Sequence, residues 1–270
     1  MGLSDLSKQL DDRKQTSTKE QPYAMGRQTV RKARTDLSNK DFEASIKLKT
    51  MPAIKWLEVQ FPPVFVEEIN QYIDDVVIPN NKDYSNKLVG QLKGEKSAQL
   101  DFPLQGHETG EQFKKVLENL GMSFVQKPYN RMSSVECFEC WTVHSYEGDY
   151  NPVHDHGVKT QSGLSCILYL KVPDSIKNKP QIEVPSLNSA SGEIDGWTQF
   201  QWGTNTMKDI YQLREQTQHV VRPVEGKLLM FPCWLNHMVW PFRGEGERRT
   251  LSANFNIHDS PEVTKQFSER

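Results

Sequence analysis

The stretch EGKLLMFPCWLNHMVWPFRGEGERRTLSANFNI, from Glu225 to Ile257, decides the fold of this chain. Gly226 is placed to turn the chain, and the KLLMFP that follows is typical of a buried β-strand. His237 stands at the head of the next strand, and an Arg-Gly-Glu-Gly turn precedes a strand from Thr250 to Ile257. Short strands separated by turns of this kind predict a β-sandwich or a jelly roll.

The same pattern of short strands and turns begins after Met122. The predicted strands are Ser133–Ser145, Leu164–Val172, Trp197–Trp202, His219–Arg222, Lys227–Phe231, His237–Pro241 and Thr250–Ile257. Upstream, AIKWLEVQFP predicts one further strand. Two segments, PPVFVEEINQYIDDVVI and GHETGEQFKKVLENLGM, have the apolar spacing of amphipathic helices, the second ending at Gly121 as its C-cap. The predicted fold class is α+β, with helices packed outside a β core.

The composition divides the chain into three regions: a polar arm (1–50), a helical support region (51–125) and the β core (126–270). The arm carries eleven Lys and Arg against seven Asp and Glu. This mild positive bias predicts a solvated, flexible arm. A role of the arm in self-association or docking stays open.

The overall charge and hydropathy exclude several classes of protein. A formal net charge of −2 argues against a general nucleic-acid binder. No apolar run approaches the roughly 20 residues that span a bilayer, and the N-terminus lacks the apolar core of a signal peptide. We therefore expect a soluble cytoplasmic protein that does not bind membranes.

The four cysteines include one Cys-x-x-Cys pair, Cys137 and Cys140, inside a predicted strand. Residues three apart on a regular strand point to opposite faces, and no second pair completes a zinc site. We therefore predict that these cysteines are structural and reduced.

Two histidines separated by one aspartate, His154 and His156, open the strand that begins near Leu164. In an extended segment they project to the same face, about 6.5–7 Å apart along the strand. His237 could supply a third imidazole. Imidazoles suit Fe(II), Zn and Cu, and three ligands leave positions open for substrate and oxygen.

An arginine and a hydroxyl on one strand face, Arg248 and Thr250, could hold a carboxylate. Arginine forms two parallel charge-assisted hydrogen bonds with a carboxylate, and residues two apart share a strand face. If the register slipped by one, Arg249 would take this place with Leu251 beside it. A polar neighbour suits a carboxylate and a leucine does not, which favours Arg248.

The stretches from Gly148 to Pro173 and from Pro223 to Ile257 resemble the non-haem Fe(II)/2-oxoglutarate-dependent oxygenases, most closely a subgroup found in tailed phages and bacteria. The resemblance covers about the last 130 residues. It implies a double-stranded β-helix (jelly roll) core and the use of Fe(II), 2-oxoglutarate and O2. It also implies oxidation of a substrate, most simply hydroxylation, coupled to decarboxylation of 2-oxoglutarate, in the cytoplasm of a bacterial host.

Carried over position by position, the resemblance makes His154 and His237 metal ligands. Arg248, with Thr250, would then bind the distal carboxylate of 2-oxoglutarate, and Tyr169 would supply a further hydrogen bond to it.

The chain departs from the family pattern at the third metal ligand, because most members have His-x-Asp or His-x-Glu and here the third position is His156. His156 could be the ligand, Asp155 could reach the metal through a local bulge, or two histidines alone could bind. We favour His156.

Two other functions remain compatible with the sequence. One is a non-catalytic jelly-roll scaffold or phage assembly protein, and the other is a cupin-like metalloenzyme that does not use 2-oxoglutarate. No motif names the substrate, which could be a small molecule or a peptide. Four tryptophans could line the mouth of the pocket or pack in the core: Trp141, Trp202, Trp234 and Trp240. Of the remaining histidines, His144 is the most notable, since it precedes the histidine loop.

Overall fold

The computed structural model describes residues 54–85, 98–129, 132–178, 194–203, 211 and 215–268. All of them belong to one compact unit, Ile54–Arg270. The predicted arm (1–50) lies outside the described residues, so its flexibility and its role in self-association stay predictions.

The described residues form ten strands and five α-helices. The strands are β1 (Leu57–Gln60), β2 (Gln99–Asp101), β3 (Ser133–Ser145), β4 (Asn151–His154), β5 (Gly163–Lys171), β6 (Thr198–Gln201), β7 (Gln218–Val221), β8 (Lys227–Pro232), β9 (Asn236–Val239) and β10 (Arg248–Asp259). The helices are α1 (Pro63–Tyr72), which continues through a π-helical turn (Ile73–Val77) into α2 (Ile78–Asn80), then α3 (Glu108–Tyr129), α4 (Asp174–Lys177) and α5 (Pro261–Ser268). None of the helices in this part of the chain is both long enough and apolar enough to cross a membrane.

The strands form two antiparallel sheets. The larger sheet has the order β1-β8-β5-β10-β3-β2, and the smaller one has the order β4-β9-β6-β7. Two such sheets face each other in a jelly roll. The prediction of an α+β fold with a double-stranded β-helix core and flanking N-terminal helices is thereby confirmed.

Strands β5 and β8 of the larger sheet contribute to two separate cores, because side chains alternate between the faces of a strand. On β5, Leu168 packs in the outer core beneath α1 and α3, whereas Ile167 packs in the core between the sheets. On β10, Leu251 and Ala253 likewise face the outer core. The other face of β10 is polar and lines a cavity.

Helix α3 is longer than the sequence predicts, and Gly121 is not its C-cap. The helix continues to Tyr129, so Gly121 lies inside it. A Cβ atom at this position would lie 2.7 Å from Cγ1 of Val135 on β3. Gly121 therefore allows the helix to pack closely against the sheet, and that contact outweighs the low helix propensity of glycine.

A β-bulge in β3 corrects the prediction for the cysteine pair. Asn254 pairs with Glu139 and Phe255 pairs with Cys137, so Phe138 is the extra residue on β3. A bulge of this kind shifts the alternation of side chains by one. Cys137 and Cys140 therefore both face the outer core, not opposite faces. All four cysteines are buried free thiols.

We expect the contact between α3 and the larger sheet to be a main source of stability. Leu117 on α3 is fully buried in the outer core, so Leu117→Ala should lower the free energy of unfolding by about 2–5 kcal/mol. Lys115→Ala, an exposed change on the same helix, should alter it by less than about 0.5 kcal/mol. Urea unfolding of the two variants measures the difference. Equal effects would show that α3 does not stabilise the sheet.

Candidate functional site

A cavity of about 340 Å³ opens between the two sheets. Its walls come from alternate residues of β3 and β10, from the loop that follows β4, and from β9. Six of the candidate site residues proposed from the sequence line it: His154, Asp155, His156, His237, Arg248 and Thr250. Residues from three distant parts of the sequence therefore meet in one cavity of the size that small ligands occupy.

Two of the histidines lie directly opposite each other on neighbouring strands. His154 ends β4 and pairs across the ladder with His237 of β9, and their ring centroids are 4.3 Å apart. The Nδ1 atom of His154 donates to the carbonyl oxygen of Pro152 at 2.7 Å, and that of His237 donates to the carbonyl oxygen of Leu235 at 3.1 Å. A carbonyl can only accept, so both Nε2 atoms are left with a lone pair for a ligand.

The third histidine completes the cluster. His156 follows β4, and its backbone N–H donates to the carbonyl oxygen of Cys233 at 3.0 Å. Its Nε2 lies 3.2 Å from Nε2 of His237. One nitrogen of each of the three rings lies within 4.8 Å of the others.

The distance between the two Nε2 atoms fits a shared metal ion. Two unprotonated nitrogens repel each other at 3.2 Å, so a proton or a cation has to lie between them. Imidazole nitrogens bind a metal ion at about 2.0–2.1 Å, which places two of them roughly 3 Å apart. The residues present therefore fit a metal ion.

Burial keeps the three rings neutral, which is the form that binds metals. Removal from water lowers the pKa of His154 and lowers that of His156 to about 4. The pKa of His237 lies well below its ordinary value, first because the ring is buried and then because it faces His154 and His156.

Asp155 lies between the first two histidines but does not join their cluster. It is exposed at the rim of the cavity, and the group of potential metal ligands among the described residues contains only the three histidines. The structure therefore brings His156 to the cluster and leaves Asp155 outside it.

At the other side of the cavity lies a buried guanidinium group. Arg248 is only 2% exposed, and it donates from Nε to the carbonyl oxygen of Gly196 at 3.0 Å and from Nη2 to Oγ1 of Thr198 at 3.4 Å. Within the described ranges, no carboxylate forms an ion pair with Arg248. Burial lowers its pKa, which reflects the cost of keeping this charge out of water. A bound anion would offset that cost.

Thr250 and Tyr169 both lie near Arg248, but only one of them faces the cavity. Thr250 lines the cavity on the same face of β10. Tyr169 is fully buried behind it, donates its hydroxyl to Oγ1 of Thr198 at 2.7 Å, and has its ring 5.4 Å from the Arg248 guanidinium carbon. Tyr169 thus contacts Arg248 and does not line the cavity.

The neighbouring arginine has a different environment. Arg249 points to the opposite face of β10 and pairs with Asp74 at 2.7 Å and with Glu247 at 2.9 Å. Burial opposes its charge, but these carboxylates raise its pKa. Burial also disfavours the charge of Glu247, yet hydrogen bonds with His144 and Arg249 lower its pKa to about 2. Arg249 therefore ties β10 to the turn after α1.

His144 belongs to the same network of ion pairs and hydrogen bonds as Glu247 and Arg249. Its Nδ1 lies 2.6 Å from Oε1 of Glu247, and its Nε2 lies 2.9 Å from Oγ1 of Thr142. His144 faces this network and does not line the cavity.

Sequence reasoning missed a polar group at the far end of the cavity. Glu139 and Asn254 are cross-strand partners that both line it, together with Tyr84. The alternation of Arg248, Thr250, Ser252 and Asn254 on β10 could have revealed one half of this group. Of the four tryptophans considered for the mouth, only Trp141 is among the described residues that line the cavity.

Several solved structures are similar to this chain at low sequence identity. A prolyl-4-hydroxylase from Pseudomonas putida matches with 14% identity and a TM-score of 0.48, over 77% of this chain and 94% of the other. The viral collagen prolyl hydroxylase of Paramecium bursaria Chlorella virus 1, in complex with 2-oxoglutarate, has 15% identity and a TM-score of 0.43, over 74% and 94%. HygX from Streptomyces hygroscopicus, with nickel and 2-oxoglutarate bound, has 11% identity and a TM-score of 0.44, over 75% and 83%.

No curated protein sequence matches the chain. Residues 139–254 match the sequence family described as "Putative 2OG-Fe(II) oxygenase". The matched segment contains the three histidines, Arg248 and Thr250. The family description names Fe(II) and 2-oxoglutarate, and the histidine cluster of this chain fits a metal ion. This segment of the chain is therefore similar to the 2OG-Fe(II) oxygenases.

Proposed function

We propose that this protein is an Fe(II)/2-oxoglutarate-dependent oxygenase, specifically a hydroxylase, whose Fe(II) is held by His154, His156 and His237. The support for this ligand set is the cluster itself, with one nitrogen from each ring within 4.8 Å of the others. The hydrogen bonds from Nδ1 of His154 and His237 to backbone carbonyls fix the tautomer that leaves Nε2 available. Asp155 stays at the rim.

In the same proposal, Arg248 binds the distal carboxylate of 2-oxoglutarate and Thr250 donates a hydroxyl hydrogen bond to it. The observation that carries the proposal is a buried cation that lines the cavity and has no carboxylate partner among the described residues. Gly196 and Thr198 accept hydrogen bonds from the guanidinium. These bonds fix its orientation before the cosubstrate arrives, which lowers the entropy cost of binding.

When bound, Fe(II) and 2-oxoglutarate supply the oxidation, in which decarboxylation to succinate and CO2 accompanies oxidation of the substrate. The chain positions the reactants and limits the access of water. Hydroxylation is the simplest oxidation of this kind, and it is the outcome that we propose.

The ligand set is tested by titrating the protein anaerobically with Fe(II) and then with 2-oxoglutarate, while recording the weak visible charge-transfer band of the chelate. His237→Ala and His156→Ala should lose the band. Loss of a residue that only supports a metal ligand weakens metal binding by ~10–100-fold, so loss of a ligand itself should weaken it by at least as much. Asp155→Asn should keep both. A band that survives in His156→Ala and disappears in Asp155→Asn would identify Asp155 as the ligand.

The carboxylate site is tested with two neighbouring arginines of opposite environment. Arg248→Met should weaken 2-oxoglutarate binding to the metal-loaded protein by about a hundredfold, since it removes a buried charge partner, and should leave metal affinity within a few-fold. Arg249→Met should keep the 2-oxoglutarate affinity but lower the free energy of unfolding by about 3 kcal/mol, because Glu247 and Asp74 lose their partner. Unchanged 2-oxoglutarate affinity in Arg248→Met would refute the assignment.

The wild type distinguishes the alternative functions. Binding of metal without binding of 2-oxoglutarate would favour a cupin-like enzyme. Binding of neither would favour a non-catalytic scaffold.

Hydroxylation itself is tested by turnover under isotopically labelled oxygen. We expect the product to contain one atom of ¹⁸O from ¹⁸O₂, measured by mass spectrometry. A product that lacks two hydrogens and contains no label would instead identify a desaturase.

The predicted phage origin, the cytoplasm of a bacterial host as location, and self-association through residues 1–50 remain proposals. The resemblance of the sequence supports the first two, the polar composition of the arm supports the third, and the described residues do not include the arm.

A further inference from the structure

The cavity has a cationic end and an anionic end. Along β10 its lining residues recur at every second position, from Arg248 to Asn254. Six residues of extended chain span roughly 20 Å. Glu139 pairs with Asn254 across the ladder and Trp141 pairs with Ser252. A carboxylate therefore lies at the far end of the strand from the guanidinium.

Glu139 is held in a fixed orientation by a chain of hydrogen bonds. The hydroxyl of Ser165 donates to Oδ1 of Asn254 at 2.7 Å, and Nδ2 of Asn254 donates to Oε1 of Glu139 at 2.6 Å. The hydroxyl of Tyr84 donates to the other carboxylate oxygen. Ser165 and Asn254 are buried, so the carboxylate is preorganised, and it takes no part in the metal cluster or the Arg248 site.

Two aromatic rings lie beside this carboxylate. Tyr84 stacks on Trp141 with ring centroids 5.3 Å apart and an angle of 17° between the planes. Trp141 in turn lies 5.8 Å from the ring of His156. Tryptophan is the best aromatic partner for a cation. The carboxylate and the indole are thus both placed next to the proposed metal site.

Among the described lining residues, Glu139 is the charged group at this end of the cavity. Asp155 also lines the cavity but is exposed at its rim. A cationic group bound beside Glu139 would form a charge-assisted hydrogen bond with its carboxylate.

We propose that the substrate presents a cationic nitrogen group, an ammonium or a guanidinium, to Glu139 and Trp141, so that the carbon to be oxidised lies beside the histidine cluster. This inference rests on the proposed function, because it assigns the opposite end of the cavity to 2-oxoglutarate. A basic side chain of a peptide and a free amine share this chemistry.

The test is calorimetric binding to the anaerobic protein loaded with Fe(II) and 2-oxoglutarate. The probes are the blocked residues N-acetyl-lysine amide and N-acetyl-arginine amide, the free diamine putrescine, and the neutral isostere N-acetyl-norleucine amide. We expect at least one cationic probe to bind about tenfold or more tightly than the norleucine probe. Tighter binding of the blocked residues would indicate a peptide substrate, and tighter binding of putrescine would indicate a free amine.

The variant Glu139→Gln should abolish this preference while keeping the affinity for 2-oxoglutarate. Glu136→Gln is the matched control, since Glu136 lies on the same strand and also bonds an asparagine of β10, but does not line the cavity. The control should keep the preference.

Three outcomes would overturn the inference: equal binding of the norleucine probe, a preference that survives in Glu139→Gln, or no binding of any cationic probe by a wild type that binds 2-oxoglutarate. A wild type that fails to bind 2-oxoglutarate would overturn the proposed function itself. Circular dichroism of Glu139→Gln checks its fold, and the comparison of probes on the wild type does not depend on that variant.

Discussion

The two-residue period of β10 is the constraint on which the rest of the structure depends. This strand lies between β3 and β5 in the larger sheet, and its faces have opposite chemistry. Leu251, Ala253 and Phe255 close the outer core, while Arg248, Thr250, Ser252 and Asn254 line the cavity. Because alternate side chains point to opposite faces, the strand cannot slip by one residue without burying its polar groups among hydrocarbons and exposing its apolar ones to the cavity.

That constraint also separates two arginines that are adjacent in sequence. Arg249 lies on the face of β10 that is opposite to the cavity, next to the π-helical turn after α1. The carboxylates of Asp74 and Glu247 balance its charge there. Arg248 lies in the cavity with backbone and hydroxyl acceptors only among its described partners. A buried charge without a counter-ion costs folding free energy. Natural proteins retain an unbalanced buried charge mainly at functional sites, where a ligand can neutralise it.

Most of the strands and the histidine spacing could be predicted from the sequence, because both follow from local alternation, but the short strands β2 and β4 were not predicted. Ser133–Ser145 was predicted with the same limits that the structure shows, and the faces of His154 and His156 follow from an extended backbone. What escaped prediction depends on tertiary contacts. The role of Gly121 requires knowledge of Val135, and that of Glu139 requires the pairing of β3 with β10. Neither contact produces a local pattern that can be recognised in the sequence.

The bulge at Phe138 allows β3 to lose one residue without exchanging its two faces. Glu139 and Cys137 already face opposite sides, as neighbours on a regular strand would. Loss of Phe138 alone would therefore restore a regular ladder and leave every other side chain of β3 on its present face. Loss of one residue between Cys140 and Ser145 would instead exchange the two faces at one end of the strand. Relatives that differ by a single insertion or deletion in this strand should thus carry it at the bulge, next to the carboxylate.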